Sequence, residues 1–164
     1  MDKNTIRITK KDGSTEEITT HKTIIATGSK PVTPDFMGYD KNRVITSTEA
    51  LNLSEVPSSM IVIGAGVIGL ELGSVFARLG TKIEVVEYMD RILPGMDTDC
   101  AKELQKSLKG LGMAFHLSHA VSEVKGGKKQ VSVTMKANNG ETPVTLTADY
   151  CLIAIGRKPY TTGL

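Results

Sequence analysis

Two hydrophobic rhythms divide the chain. Residues 60–63 form an unbroken apolar run, the pattern of a central parallel strand buried on both faces. Beyond it, Ile68, Leu72, Val75, Phe76 and Leu79 recur at helical spacing. They predict one apolar stripe on a helix ending near Leu79, with Gly80 at its C-terminal cap. Residues 82–86 predict a second strand. Residues 97–111 predict a second helix with Ala101, Leu104, Leu108 and Leu111 as its apolar face. Asp97 or Thr98 would cap its start, and Gly112 would end it. A third parallel strand is expected at 114–117 and a returning one at 150–155.

Elsewhere the period is two, and the pattern occurs twice. Ile-Arg-Ile-Thr at 6–9 passes a turn at Asp12-Gly13 to Glu-Glu-Ile-Thr, then reaches Thr-Ile-Ile-Ala-Thr-Gly-Ser-Lys-Pro at 23–31. Val-Ser-Val-Thr at 131–134 passes Asn138-Asn139-Gly140 to Val-Thr-Leu-Thr, then reaches Cys-Leu-Ile-Ala-Ile-Gly-Arg-Lys-Pro at 151–159. Each copy reads as alternating strands followed by a buried apolar strand that stops at a glycine. Residues 1–30 are therefore expected to close an upstream unit. Residues 31–56 read as a connector with one helical turn near 47–51. Residues 57–156 read as a strand–helix–strand–helix–strand unit with a meander inserted at 120–148, and 157–164 as the start of a return to the first unit. The fold class expected is α/β, a Rossmann-like parallel sheet flanked by helices.

The candidate chemistry lies at Gly64-Ala65-Gly66-Val67-Ile68-Gly69-Leu70-Glu71, a G-x-G-x-x-G between a predicted strand and a predicted helix. Gly64 permits a sharp exit from the strand, Gly66 leaves room for a pyrophosphate at the backbone, and Gly69 lets the helix lie close to the sheet. The helix start favours an anion. Glu87 ends the second strand eighteen residues after Gly69, near the spacing of an acid that accepts ribose hydroxyls. Such a carboxylate repels a 2′-phosphate and favours NAD over NADP. Spacing alone leaves both NAD and the ADP half of FAD open.

Composition narrows the alternatives. The chain has 164 residues, 40% of them hydrophobic, enough for one domain or slightly more. A net charge of +2 with scattered Lys and Arg does not imply nucleic acid. The cluster Lys125-Gly126-Gly127-Lys128-Lys129 reads as a solvated hairpin tip. No apolar run approaches the length of a membrane helix. Cys100 and Cys151 have no redox or zinc spacing, and the free thiols suggest a reducing compartment. His21, His116 and His119 read as isolated, and no metal site is expected.

Three stretches carry a family resemblance: Ile-Ile-Ala-Thr-Gly-Ser at 24–29, Val-Ile-Gly-Ala-Gly-Val-Ile-Gly-Leu-Glu-Leu-Gly-Ser at 62–74, and Ile-Gly-Arg-Lys-Pro at 155–159. With the repeat, they resemble the flavoprotein disulfide reductases that contain two dinucleotide-binding domains. Within that family the chain is most similar to the dihydrolipoamide dehydrogenases of 2-oxoacid dehydrogenase complexes. The resemblance implies that residues 1–30 end an FAD domain and 57–156 form the NAD domain. It implies that Gly64, Ala65, Gly66, Val67, Ile68, Gly69, Leu70 and Glu71 line the NAD pyrophosphate and nicotinamide side. Glu87 would hold the adenosine ribose, Val121 would lie near the adenine, and Gly156 near the nicotinamide. Thr27, Gly28 and Ser29 would contact FAD, and Glu71 would reach toward the flavin; alternatively Glu71 is a first-turn acid favoured by the helix dipole. NADP-using relatives place arginines near the second strand's end, where this chain has only Arg91.

The resemblance further implies a parent enzyme that passes hydride from dihydrolipoamide through FAD to NAD, is a homodimer, and is cytoplasmic or, in a eukaryote, mitochondrial. The family's FAD fingerprint, its cysteine pair and its His–Glu pair are not found in this chain, so no catalytic residue is expected in it. A mercuric reductase or soluble transhydrogenase is the alternative within the family. A free-standing regulatory nucleotide module is the alternative outside it, and the segment at 1–30 argues against that.

Overall fold

A computed structural model describes residues 3–140 and 142–164; residues 1 and 2 of the expected upstream segment lie outside it. The chain divides into two compact units, residues 1–29 with 159–164, and residues 30–158.

In the smaller unit, β1 (Thr5–Thr9) and β2 (Thr15–Thr19) pair antiparallel, with Ile6 opposite Ile18 and Arg7 opposite Glu17. Arg7 and Glu17 make an ion pair at 2.7 Å. The strand expected at 23–28 does not form. Ile24 and Ile25 are 90% and 70% exposed on extended chain outside any sheet. An apolar run becomes a strand only when neighbouring strands take its hydrogen bonds, and none adjoins this one among the described residues. After it, β3 (Ser29–Pro31) pairs with β12 (Arg157–Pro159).

The larger unit is built on five strands: β4 (Val44–Ile45), β5 (Ser59–Ile63), β6 (Lys82–Val86), β7 (Ala114–His116) and β11 (Tyr150–Ile153), in the order β4-β11-β5-β6-β7. Every pairing in it is parallel. The segment expected to be a connector thus supplies an edge strand. An Asx loop sets up β4: Asp40 Oδ1 accepts from the N–H groups of Asn42, Arg43 and Val44 at 2.8–2.9 Å. Those bonds outweigh the effect of burial and hold the Asp40 carboxyl below the usual carboxylate range.

Alternate residues of the sheet feed two cores. Met60, Val62, Ile83, Val85 and Leu152 face α1 (Ser47–Ala50), α2 (Val67–Arg78) and α3 (Thr98–Gly110). Ile61, Ile63, Val86, Cys151 and Ile153 face an antiparallel meander of β8 (His119–Gly126), β9 (Val131–Ala137) and β10 (Val144–Ala148). Burial raises the pKa of the Cys151 thiol far above its ordinary value, so it remains a neutral packing group.

The helix faces differ from the expected ones. On α2 the buried positions are Gly69, Leu70, Gly73 and Phe76, while Val75 and Leu79 are 47% and 57% exposed. The glycines bring the helix axis against the sheet and leave the larger residues to either side. A Cβ at Gly73 would lie 3.1 Å from Met113 Cε and 3.6 Å from Ile83 Cγ2. On α3, Ala101 and Leu108 are buried but Leu104 is partly exposed. Asp97 caps α3 by accepting from Asp99 and Cys100 N–H. Gly80 closes α2 in a left-handed conformation, with Gly80 N–H bonded to Ala77 O and Thr81 N–H to Phe76 O.

Candidate functional site

The chain runs β5–α2–β6–α3–β7 in one direction across the sheet, then returns through the meander to β11 on the other side of β5. The strand order therefore reverses between β5 and β11. In open parallel sheets, a crevice forms beyond the carboxyl ends of the strands at such a reversal. Here it is a cavity of about 660 Å3, lined by Ile63, Gly64, Gly66, Val67 and Ile68 after β5, Glu87 and Tyr88 after β6, and Ile153 to Gly156 after β11.

Gly64 makes the turn at φ +101°, where a Cβ would lie 2.6 Å from Ala154 O. Gly66 is the N-cap of α2, and no side chain caps the helix there. A Cβ on Gly66 would meet nothing within 4 Å, so open space lies before this backbone. Gly69 differs: a Cβ there would lie 2.3 Å from Gly64 O. The three fingerprint glycines thus make a turn, an opening and a packing contact.

Glu87 is fixed through backbone and side chain. Its N–H donates to His116 O and its carbonyl accepts from His119 N–H, both at 2.9 Å. Its carboxylate accepts from Ala65 N–H at 2.7 Å and from Met89 N–H at 2.8 Å. An anionic acceptor therefore stands beside the glycine turn, already oriented.

Arg91 does not offset that charge. Its guanidinium donates to Thr98 Oγ1, to Pro94 O at 2.6 Å and to Met96 O at 3.0 Å. It braces the loop whose Leu93 N–H donates to Ala65 O. Among the described residues no group of three or more His, Cys, Asp or Glu side chains is placed to hold a metal ion.

Of the positions singled out in the sequence, Gly64, Gly66, Val67, Ile68, Glu87, Val121 and Gly156 line this cavity. Ala65, Gly69 and Leu70 are buried and do not. Glu71 is exposed in the second turn of α2, not the first, and lines a separate groove of about 380 Å3 with Ser74, Met96 and Leu104. Thr27, Gly28 and Ser29 belong to the smaller unit. There Thr27 Oγ1 donates to Tyr160 O at 2.5 Å and Tyr160 N–H donates to Gly28 O at 2.9 Å.

Sequence reasoning missed Phe36, Met37, Ser47, Tyr88 and His119 in the cavity wall. The first three come from the segment read as a connector. His116 and His119 are not isolated. Their rings meet edge-on at 5.9 Å, and His116 Nε2 lies 2.9 Å from Glu84 Oε2. Burial alone would raise the Glu84 carboxyl, but its bonds to His116 and Lys82 bring it below the usual range. No helix among the described residues is long and apolar enough to cross a membrane.

Known proteins resemble this chain in sequence and in fold. Residues 1–164 match the model of the family described as pyridine nucleotide-disulphide oxidoreductase. The chain is 49% identical over 153 residues to dihydrolipoyl dehydrogenase 3 of Pseudomonas putida, covering 93% of this chain and 33% of that protein. It is 46% identical over 164 residues to the mitochondrial dihydrolipoyl dehydrogenase of Dictyostelium discoideum, covering 98% and 33%. Among solved structures, LpdA of Mycobacterium tuberculosis superposes with a TM-score of 0.82 at 31% identity, over 96% of this chain and 33% of that one. The HOCl-induced flavoprotein disulfide reductase RclA of Escherichia coli superposes with a TM-score of 0.78, also at 31% identity, over 98% and 35%. The chain spans about a third of the length of these relatives. With the family model matched end to end and close relatives aligned over nearly every residue, the chain belongs to the pyridine nucleotide-disulphide oxidoreductase family.

Proposed function

We propose that residues 57–156 hold NAD(H) at the ends of β5, β6 and β11, as the NAD domain of a dihydrolipoyl dehydrogenase. The observation that carries this reading is the open, uncapped helix start at Gly66 beside the carboxylate of Glu87. The donor set fits a dinucleotide: first-turn N–H groups suit a pyrophosphate, and a carboxylate suits two ribose hydroxyls. Gly64, Gly66, Val67 and Ile68 are assigned to the pyrophosphate and nicotinamide side, Glu87 to the ribose, Val121 to the adenine and Gly156 to the nicotinamide end. Ala65, Gly69 and Leu70 support them: Ala65 orients Glu87, while Gly69 and Leu70 set the helix on the sheet. Glu71, outside this cavity, is assigned to face the flavin.

The nicotinamide supplies hydride chemistry when bound. The chain's own part is to grip the far end of the cofactor and present the other. Residues 1–30 are assigned to the FAD domain, with Thr27, Gly28 and Ser29 at the flavin. The parent is proposed to be a homodimer that oxidises dihydrolipoamide within a 2-oxoacid dehydrogenase complex, in the bacterial cytoplasm or the mitochondrial matrix. No residue here is assigned a catalytic role.

Calorimetric titration with NADH and NADPH tests the reading. NADH is expected to bind at least about tenfold tighter, a difference of about 1.4 kcal/mol. Equal or tighter binding of NADPH overturns the role of Glu87, and no binding of either dinucleotide overturns the site.

A further inference from the structure

We infer that His119 reads the adenine of the dinucleotide by accepting a hydrogen bond from its exocyclic amino group. The inference rests on the dinucleotide reading above. Strand order supplies the position. β5 carries the glycine turn, and β6 beside it ends at Glu87. β7, beside β6, ends at His116 and leads through Leu117 and Ser118 to His119. A ligand with its pyrophosphate at β5 and its ribose at β6 brings its base to the next step across the sheet. The cavity wall there includes His119, Ala120, Val121 and Tyr88. Ala120 and Val121 offer apolar surface to a flat ring, and Tyr88, 64% exposed, offers an aromatic one. His119 brings a polar ring to this region.

That ring has a defined character. Nδ1 of His119 lies 2.7 Å from the carbonyl oxygen of Leu117. A carbonyl only accepts, so Nδ1 carries the ring proton. In the neutral ring Nε2 is then an acceptor, and no partner for it occurs among the described residues. The main chain of His119 is fixed by its N–H bond to Glu87 O, and its ring meets that of His116 in a T-shaped contact. His116 itself is engaged with Glu84. The adenine amino group is a donor and matches Nε2. Hypoxanthine has a carbonyl oxygen in its place and would set acceptor against acceptor.

The test compares NADH with reduced nicotinamide hypoxanthine dinucleotide by calorimetry. The proteins are the wild-type chain, His119→Phe, which keeps a ring without the acceptor, and His119→Ala, with folding checked by circular dichroism. The wild type is expected to bind NADH about three- to tenfold tighter than the hypoxanthine analogue. Both variants are expected to bind NADH, more weakly, and to lose the preference; if His119→Phe does not fold, His119→Ala decides. A wild type that binds both dinucleotides equally, or a folded variant that keeps the preference, overturns the role of His119 and leaves the NAD site standing. A wild type that binds neither overturns the NAD site, and the role of His119 with it.

Discussion

Gly66 and Gly69 belong to one motif, yet substituting each with alanine should have opposite consequences. At Gly69 the new methyl carbon would lie 2.3 Å from Gly64 O, 3.0 Å from Val62 Cγ1 and 3.2 Å from Ala154 Cβ. The nearest of these is backbone in the turn itself, so the helix must move away from the sheet. Overpacking of this kind costs about 1–3 kcal/mol, and the rigid neighbour points to the upper part of that range. Alanine's better helix propensity returns about 1 kcal/mol. The net loss should be about 1–2 kcal/mol, which lowers Tm by roughly 2–8 °C in a chain of this size. At Gly66 the methyl meets nothing within 4 Å, and φ is −80°, open to any residue. A less flexible unfolded chain and a poorer N-cap are small effects of opposite sign, so stability should stay within about 0.5 kcal/mol. Affinity for NADH should nevertheless fall by about tenfold or more, because the methyl occupies the space proposed for the pyrophosphate. Thermal scans and NADH titrations of both variants decide the matter. The reasoning fails if Gly66→Ala melts as early as Gly69→Ala, or if Gly66→Ala binds NADH like the wild type.

Three further outcomes are expected. Glu87→Ala leaves the Ala65 N–H without its acceptor and should lose about 1–3 kcal/mol of stability along with NADH affinity; an unchanged Tm in a thermal scan would contradict this. The depressed carboxyl of Asp40 contributes stability above its ordinary pKa, and that contribution is lost as pH falls through the lower folded value. Acid titration of Tm should therefore show a smaller loss below pH ~4 in Asp40→Asn than in the wild type, and equal losses would refute the assignment. The amides of residues 23–26 donate no hydrogen bond among the described residues, so they should exchange with deuterium far faster than those of β5 and β11; slow exchange there would show that the segment is paired.

The fingerprint was legible because its information is local. A strand, three spaced glycines, a helix and a closing acid need no distant partner to be read. Helix orientation was not legible from large apolar residues alone. On α2, glycines face the sheet, and a periodicity built from Val75 and Leu79 points to the wrong side. The run at 23–28 misled for the opposite reason: Ile24 and Ile25 have strand composition, but strand formation depends on neighbours that composition does not specify. β4 is only two residues long and carries no periodic signal. His119 acquires its place beside Glu87 only through the strand order, which no single segment encodes.

The paired strands β3 and β12 have a topological consequence. The polypeptide enters the larger unit through one and leaves through the other, and at their inner end Val32 N–H donates to Gly156 O at 3.0 Å. The larger unit is thus a closed excursion of the chain, begun and ended at a single neck. Adjacent termini are the condition under which a domain can be inserted into another sequence, removed, or circularly permuted without rearranging its interior. A short linker joining the two sides of the neck would leave the sheet, its two cores and the glycine turn unchanged. The larger unit is therefore organised as a transferable insert.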